Sequence, residues 1–443
     1  MKGERTMRSG ISAVMVVLMW LAAAEMETIP TAGFPAEETH VGKPRVLSVS
    51  VVPGLTVETY APAAGPEKFS FDPSGVLYVR RGVGESLEGW IVVGSMNTAR
   101  AQFSATLLGN GQVLIAGGRT AGDEYTSSCE LFDPATNTIA PAASMNHVRN
   151  CHEAIELPNG KVLVVGGQGP GGVGVGPYLY SCELFDPLAN SWTDTGSLGY
   201  ATGNHRLILL DNGKVLKVCG ASHGGFGTTV CEIYNPATGS WSNTGSTSTG
   251  HQFPACVKLS NGKVLVAGGY MFNSVVELFN PAAGTWSGVG NISQSVSEPE
   301  GVQLDDGRVL IMGGTSHGVP AYKTVDVYDP VGGTVSPGPD MLNPRNAFCV
   351  VKLGDGDILA ISGYSASGYA TNACDRYDYA SGSWVTGPPV NTSRIQFEAV
   401  YTNGVIYIFG GTNPDGSGRL SSIEALTSEA RDKVKDHLWM EYR

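Results

Sequence analysis

The chain has 443 residues, of which 42% are hydrophobic, 15% are charged and 60 are glycine. This composition excludes a disordered or fibrous protein and is typical of a globular fold with many turns. The 40 acidic residues outnumber the 28 basic ones, which gives a net charge of −12. Because such a surface repels phosphate, we expect no nucleic-acid partner.

The N terminus has the pattern of an export signal. Lys2, Arg5 and Arg8 precede an apolar run from Ile11 to Leu21, and Ala22-Ala23-Ala24 follows. A charged start, an apolar stretch and small residues predict a signal peptide over residues 1–24. The run is shorter than the ~20 residues that a membrane span needs. We therefore expect a secreted or periplasmic protein without a stable membrane anchor.

Residues 25–87 do not follow the period found further along the chain. Within them, PEKFSFDPSGVLYV predicts a hairpin around Phe71 to Val79. That segment resembles the opening hairpin of gluconolactonase or NHL-like propellers. We interpret residues 25–87 as an N-terminal extension, either packed on the rim of the main domain or a remnant.

From residue 88 onward the sequence repeats with a period of 45 to 53 residues. A segment of the form N-G-x-V-L-x-x-G-G ends at Gly118, Gly167, Gly220, Gly269, Gly314, Gly363 and Gly411. Asn-Gly or Asp-Gly between β-rich runs predicts a hairpin whose two central residues both have positive φ. The seventh copy needs a one-residue deletion before Asn403 to align with the others. Each copy therefore predicts the first two strands of a repeated unit.

A second signature predicts a third strand that ends in an Asp/Asn-Pro turn. Its first residues are Cys129, Cys182, Cys231, Val276, Val325, Cys374 and Ile423. Because Cys alternates with Val and Ile here, these four cysteines are predicted to be small buried hydrophobes. Cys151, Cys219, Cys256 and Cys349 have no assigned role. A bulky apolar residue opens a fourth strand further on, in chain order Ile139, Trp192, Trp241, Trp286, Val335 and Trp384.

Four-stranded units of about 50 residues with a Gly-Gly doublet and a following Trp resemble the kelch repeat. The resemblance covers residues 88–427 and is closest to exported kelch proteins and the central domain of galactose oxidase. It implies an all-β, seven-bladed β-propeller. Trp90 stands where a fourth strand is missing from the last repeat, so strand 90–93 is predicted to complete that blade beside Ile423. Residues 428–443 have the spacing of an amphipathic helix.

In kelch propellers the first strand of each blade lines the central channel. Alternation with a period of two places polar residues of several repeats on one side of these strands. The predicted ligand-binding channel mouth consists of Arg100, Arg149, Glu153, Arg206, Glu298, Glu300, Arg345, Arg394 and Glu398. Arginine suits a carboxylate ligand, and a crowded Glu can acquire a pKa suited to acid/base chemistry. The alternative is that these arginines and glutamates only satisfy one another.

Two functional hypotheses follow from the resemblance. The first is an exported, monomeric, non-catalytic binding or scaffold propeller that recognises a protein or a glycan through the mouth and through loops 119–128, 168–181 and 221–229. The second is an enzyme acting on a sugar, similar to a metal-free sialic-acid mutarotase or to a copper radical oxidase. The oxidases hold copper with two Tyr and two His, one pair adjacent in sequence, and this chain contains no Tyr-His dipeptide. We therefore expect no metal and no cofactor.

Overall fold

The computed structural model describes residues 89–427, except 171–176, 223–224, 270–272, 317–319, 414 and 417, and the backbone of four earlier strands. The predicted signal peptide (1–24) and C-terminal helix (428–443) lie outside the described residues. Within the described residues, no helix has the length and apolar character to cross a membrane.

The chain separates into two units, Met1–Glu85 and Ser86–Arg443. The first contains two antiparallel hairpins. Arg45–Val52 pairs with Leu55–Ala61, and Glu67–Phe71 pairs with Leu77–Arg81. The hairpin predicted from PEKFSFDPSGVLYV is therefore confirmed.

The second unit consists of seven four-stranded antiparallel sheets. Each first strand contacts the first strands of the sheets before and after it, and the first strand of the last sheet contacts that of sheet 1. The sheets therefore form a closed ring of seven blades around a channel, as predicted. A short ribbon, Arg100–Ala101 with Arg119–Thr120, accompanies blade 1.

The two inner strands of every blade come from the N-G-x-V-L hairpins. The first strands are Ser104–Leu107, Glu153–Glu156, Arg206–Leu209, Ala255–Lys258, Glu300–Gln303, Cys349–Lys352 and Glu398–Thr402. The second strands are Val113–Ala116, Val162–Val165, Val215–Val218, Val264–Ala267, Val309–Met312, Ile358–Ile361 and Val405–Phe409.

The two outer strands follow the second signature. The third strands are Cys129–Asp133, Cys182–Asp186, Glu232–Asn235, Asn273–Asn280, Val325–Asp329, Cys374–Asp378 and Ser422–Thr427. The fourth strands, in blade order, are Thr138–Ala142, Ser191–Thr195, Ser240–Asn243, Thr285–Val296, Thr334–Pro337, Ser383–Gly387 and Ile91–Ser95.

The ring closes as the sequence predicts, with the N-terminal strand in the last blade. Ile91–Ser95 pairs antiparallel with the strand that contains Ile423, and Gly94 lies opposite Ile423. Trp90, which is 4% exposed, donates its indole N–H to the carbonyl of Pro388 at 3.0 Å in blade 6. Trp384 makes the same type of bond to Pro339 one blade earlier. Trp90 is therefore the tryptophan of blade 7.

The hairpin turns differ from the prediction in six blades. Both central residues have positive φ only at Asn403-Gly404, the turn with the predicted one-residue deletion. In the other six turns only the Gly has positive φ, and the preceding Asn or Asp accepts a hydrogen bond from the N–H two residues later, as Asn159 does from Lys161 at 3.1 Å. Their loops are one residue longer, so glycine occupies the left-handed position of a bulge.

The core lies between neighbouring blades. In one cluster Leu163 and Val165 of blade 2 pack against Val215 and Tyr234 of blade 3. The four cysteines at the start of third strands are 1% to 3% exposed, which confirms their predicted burial. Burial of both faces of each sheet explains why the second strands are continuous apolar runs.

Replacement of Trp90 tests the closure. Trp90→Ala is expected to lower the free energy of unfolding by about 3–5 kcal/mol, because it leaves a cavity between blades 6 and 7. The neighbouring Ile91 is 56% exposed, so Ile91→Ala is expected to cost within about 0.5 kcal/mol. Chemical denaturation measures both; equal effects of the two variants would contradict closure through Trp90.

Candidate functional site

Four of the predicted mouth arginines are buried inside the blades. Arg100, Arg149, Arg345 and Arg394 are 0% exposed. The Arg149 guanidinium donates to the carbonyls of Gly166 and Ser181 and forms an ion pair of 2.6 Å with Glu183 of the same blade. The other three pair in the same way with Glu130, Asp375 and Glu424. Their placement on an accessible channel mouth is therefore wrong.

The error has a backbone cause. Two residues after the arginine position, each of the seven blades has a residue other than glycine with positive φ. These residues are Gln102, Cys151, Asn204, Phe253, Glu298, Ala347 and Gln396. A left-handed residue breaks the alternation of an extended chain. The arginine before it therefore turns into the blade, while the strand after it faces the channel.

The left-handed residues also join neighbouring blades. The N–H of Cys151 donates to the carbonyl of Gln102 at 3.1 Å, and the N–H of Asn204 donates to that of Cys151 at 2.9 Å. Gln102 and Gln396 are linked in the same way across the closure. A belt of main-chain hydrogen bonds therefore follows the rim of the channel from Gln396 through Gln102, Cys151 and Asn204 to Phe253.

The remaining charged residues converge in the channel, below this belt. Arg206 of blade 3 forms ion pairs with Glu153 of blade 2 at 2.9 Å and with Glu300 of blade 5 at 3.2 Å. Their side chains are 28% to 29% exposed. Burial opposes the charge of Arg206, but Glu300 and Glu153 outweigh it and raise its pKa. One cation therefore bridges two carboxylates from different sides of the ring.

Glu398 of blade 7 faces the same group. Burial and the nearby Glu153 raise its pKa to about 8, although Arg206 acts in the opposite direction. Burial likewise raises the pKa of Glu298 and of Glu300, which Arg206 partly offsets. At neutral pH the Glu398 carboxyl is therefore protonated and can donate a hydrogen bond. Four of the nine predicted residues, Glu153, Arg206, Glu300 and Glu398, form this channel cluster, and Glu298 is the left-handed residue that precedes the first strand of blade 5.

The rim carries two further arginines that the sequence analysis missed. Arg119 of blade 1 and Arg419 of blade 7 both pair with Asp123. Their side chains are only 13% and 9% exposed, and the Nε of each has no hydrogen-bond acceptor. Arg119 directly follows the Gly-Gly doublet, a position that the alignment of the repeats could have identified. Two guanidinium groups therefore share one carboxylate at the rim.

Tyrosines surround these arginines. Tyr125 donates to Gln168 at 3.1 Å. Burial raises the pKa of Tyr364, as does the nearby Glu298, while Arg419 lowers it. Burial also raises the pKa of Tyr178, with Cys151 and Tyr125 nearby. The rim thus combines guanidinium groups, phenol rings and amides above a channel of mixed charge.

Two of the histidines near the channel have partners within the protein. His152 Nε2 lies 3.0 Å from Ser104 Oγ, and burial lowers its pKa to about 3. The Nδ1 atom of His251 is hydrogen-bonded to the carbonyl of Gly268, and its Nε2 atom contacts the carboxylate of Glu277. Across the described part of the chain, one group of His, Cys, Asp and Glu side chains converges closely enough for a metal, namely His147, Glu183 and Asp194. Glu183 is already paired with Arg149 there. One His and two carboxylates also differ in residue type from the two-Tyr, two-His copper set.

Comparisons with known proteins agree with this architecture. The kelch motif model matches residues 154–199, which span blade 2. A structure described as a novel fungal alcohol oxidase of the AA5 family in complex with copper aligns with a TM-score of 0.61 at 17% identity, covering 76% of this chain and 75% of that one. The structure of YjhT aligns with a TM-score of 0.53 at 13% identity, covering 66% of this chain and 98% of that one. No curated protein sequence matches.

These similarities and the seven closed blades define the class of the protein, an all-β propeller. The repeat in blade 2 matches the kelch motif, and the chain is a kelch propeller. At such low identity the two structures establish the fold alone.

The buried arginines are tested by stability. Arg149→Met is expected to lower the free energy of unfolding by about 3–5 kcal/mol, because Glu183 would remain buried without its cation. Arg308 pairs with Asp306 in an exposed hairpin turn, so Arg308→Met is expected to cost about 0–1 kcal/mol. Chemical denaturation measures both variants; equally small losses of unfolding free energy would contradict the structural role of Arg149.

Proposed function

We propose that this chain is an exported binding propeller that holds a carbohydrate at the mouth of its channel. The observation that carries the proposal is the channel cluster: Arg206 bridges Glu153 and Glu300, and burial raises the pKa of the nearby Glu398 to about 8. Hydroxyl groups of a sugar both donate and accept hydrogen bonds. A set of one cation, two carboxylates and one carboxylic acid within a concave site matches that requirement.

The rim supports an acidic sugar in particular. Arg119 and Arg419 share Asp123 as a carboxylate partner, so two guanidinium groups at the rim have one carboxylate between them. Arginine presents a planar fork of donors that suits a ligand carboxylate. The rings of Tyr178 and Tyr364 offer apolar surface for a sugar ring. Export rests on the pattern of residues 1–24.

A glycan array tests the binding of a carbohydrate. Export is tested on the same sample, because the protein is expected in the secreted or periplasmic fraction of an expressing cell with its N terminus near residue 25. The double variant Arg119→Met/Arg419→Met is expected to bind acidic glycans at least ~10-fold more weakly, since each charged hydrogen bond contributes roughly 1.5–3 kcal/mol. Arg308→Met, at the hairpin end, is the matched control. An array without hits would instead favour a protein ligand recognised through the loops.

A second candidate, a metal-free enzyme acting on a sugar, is favoured by Glu398 alone. A carboxyl group with a pKa near 8 is an effective general acid at neutral pH. The protonated fraction of Glu398 falls as the pH rises through 8, so its ability to act as a general acid falls with it.

Exchange between the α and β anomers of a bound acidic sugar, followed by NMR, tests this second candidate. Catalysed exchange is expected to fall above pH 8 and to drop by about 10²–10⁴-fold in Glu398→Gln. Glu156→Gln is the control, since that side chain accepts from Gly109 at the hairpin end. Binding without catalysed exchange would rule out the enzyme and leave the binding proposal intact.

A further inference from the structure

Two thiols face each other inside blade 3. The Sγ atoms of Cys219 and Cys231 are 3.9 Å apart, and both side chains are no more than 1% exposed. Cys219 directly follows the second strand of the blade, and Cys231 directly precedes the third strand. The pair therefore joins adjacent strands within one sheet.

The other six blades do not repeat this pair. The residues equivalent to Cys219 are Gly117, Gly166, Gly268, Gly313, Ser362 and Gly410. The blades of Cys129, Cys182 and Cys374 therefore have a Gly or a Ser, and no second thiol, at this position. In the described part of the chain, only blade 3 has cysteine at both positions.

The position of Cys219 is unfavourable for any residue with a side chain. Its φ is +50°, and at the equivalent Gly166 an added Cβ would lie 2.4 Å from the carbonyl oxygen of Thr202 in the next blade. Ser362 compensates in blade 6, since its hydroxyl accepts from the N–H of Arg394 at 2.9 Å and donates to Thr371 at 2.7 Å. The Sγ atom of Cys219 lies 3.2 Å from Thr247 Oγ1 and 3.9 Å from the Sγ atom of Cys231.

We propose that Cys219 and Cys231 form a disulfide within blade 3. Each thiol loses a proton, an S–S bond forms, and the two electrons reduce a disulfide-bearing oxidant of the glutathione type to two thiols. The sulfurs must approach from 3.9 Å to about 2.05 Å for the bond to form. Because both thiols are buried in the folded blade, the bond forms during folding, before blades 3 and 4 pack together.

Refolding of the full-length chain with oxidised and reduced glutathione tests the proposal. After alkylation under denaturing conditions, peptide mapping is expected to show Cys219 linked to Cys231, and six of the eight cysteines alkylated. The oxidised protein is expected to melt a few degrees higher than the reduced protein, because the cross-link restricts the unfolded chain.

Two control variants come from the chain itself. Cys219→Ser introduces the residue that blade 6 has at this position, and Cys231→Val introduces the residue of blades 4 and 5. Both are expected to fold, to keep all seven remaining thiols free, and to melt at the same temperature in either buffer. Eight free thiols in the refolded wild type, or a bond from Cys231 to Cys256 of the same core cluster, would overturn the proposal. The experiment needs only the oxidant, so its outcome is independent of export and of sugar binding.

Discussion

The ring depends on one buried acidic residue in the third strand of every blade. These residues are Glu130, Glu183, Glu232, Glu277, Asp326, Asp375 and Glu424, all at most 5% exposed. Each accepts at least one hydrogen bond from a main-chain N–H of the segment that leads into the same blade, as Glu130 does from Asn97 and Thr98. A buried carboxylate needs such partners, because its desolvation is costly.

The side chain that completes this arrangement varies among blades. Four blades supply arginine before the first strand, and blade 4 supplies His251. In blade 3 the position holds Thr202, and Lys217 from the second strand donates to Cys219 and Val230 and pairs with Glu232. Arg100 binds the equivalent carbonyls of Gly117 and Ser128 in blade 1. In blade 5 the position holds Val296, and Asp326 accepts from the main-chain N–H and the hydroxyl of Ser293. The buried carboxylate is therefore common to all seven blades, while the side chain that pairs with it differs from blade to blade.

The channel can diverge because this scaffold is satisfied elsewhere. With the arginines turned into the blades, the channel-facing residue of each first strand forms no ion pair within its own blade among the described residues. These residues are Ser104, Glu153, Arg206, Ala255, Glu300, Cys349 and Glu398. Arg206 reaches past Ala255 to Glu300 because alanine leaves that space open. In blade 3, Cys219 lies beside Cys231 while the two inner strands of the blade keep their regular pairing.

The sequence by itself determined the number of blades, the strand order and the closure by Trp90, because a repeated pattern of turns and apolar runs specifies local structure seven times over. It also identified Glu153, Arg206, Glu300 and Glu398, since these lie in regular strand. Only the tertiary structure decided where Arg149 and its equivalents point. That direction depends on a left-handed residue such as Cys151, which hydrogen bonds to the neighbouring blades hold in place. A sequence pattern of period two contains no information about those inter-blade hydrogen bonds. The rim pair of Arg119 and Arg419 likewise depended on ring closure, which brings together residues 300 positions apart in the chain.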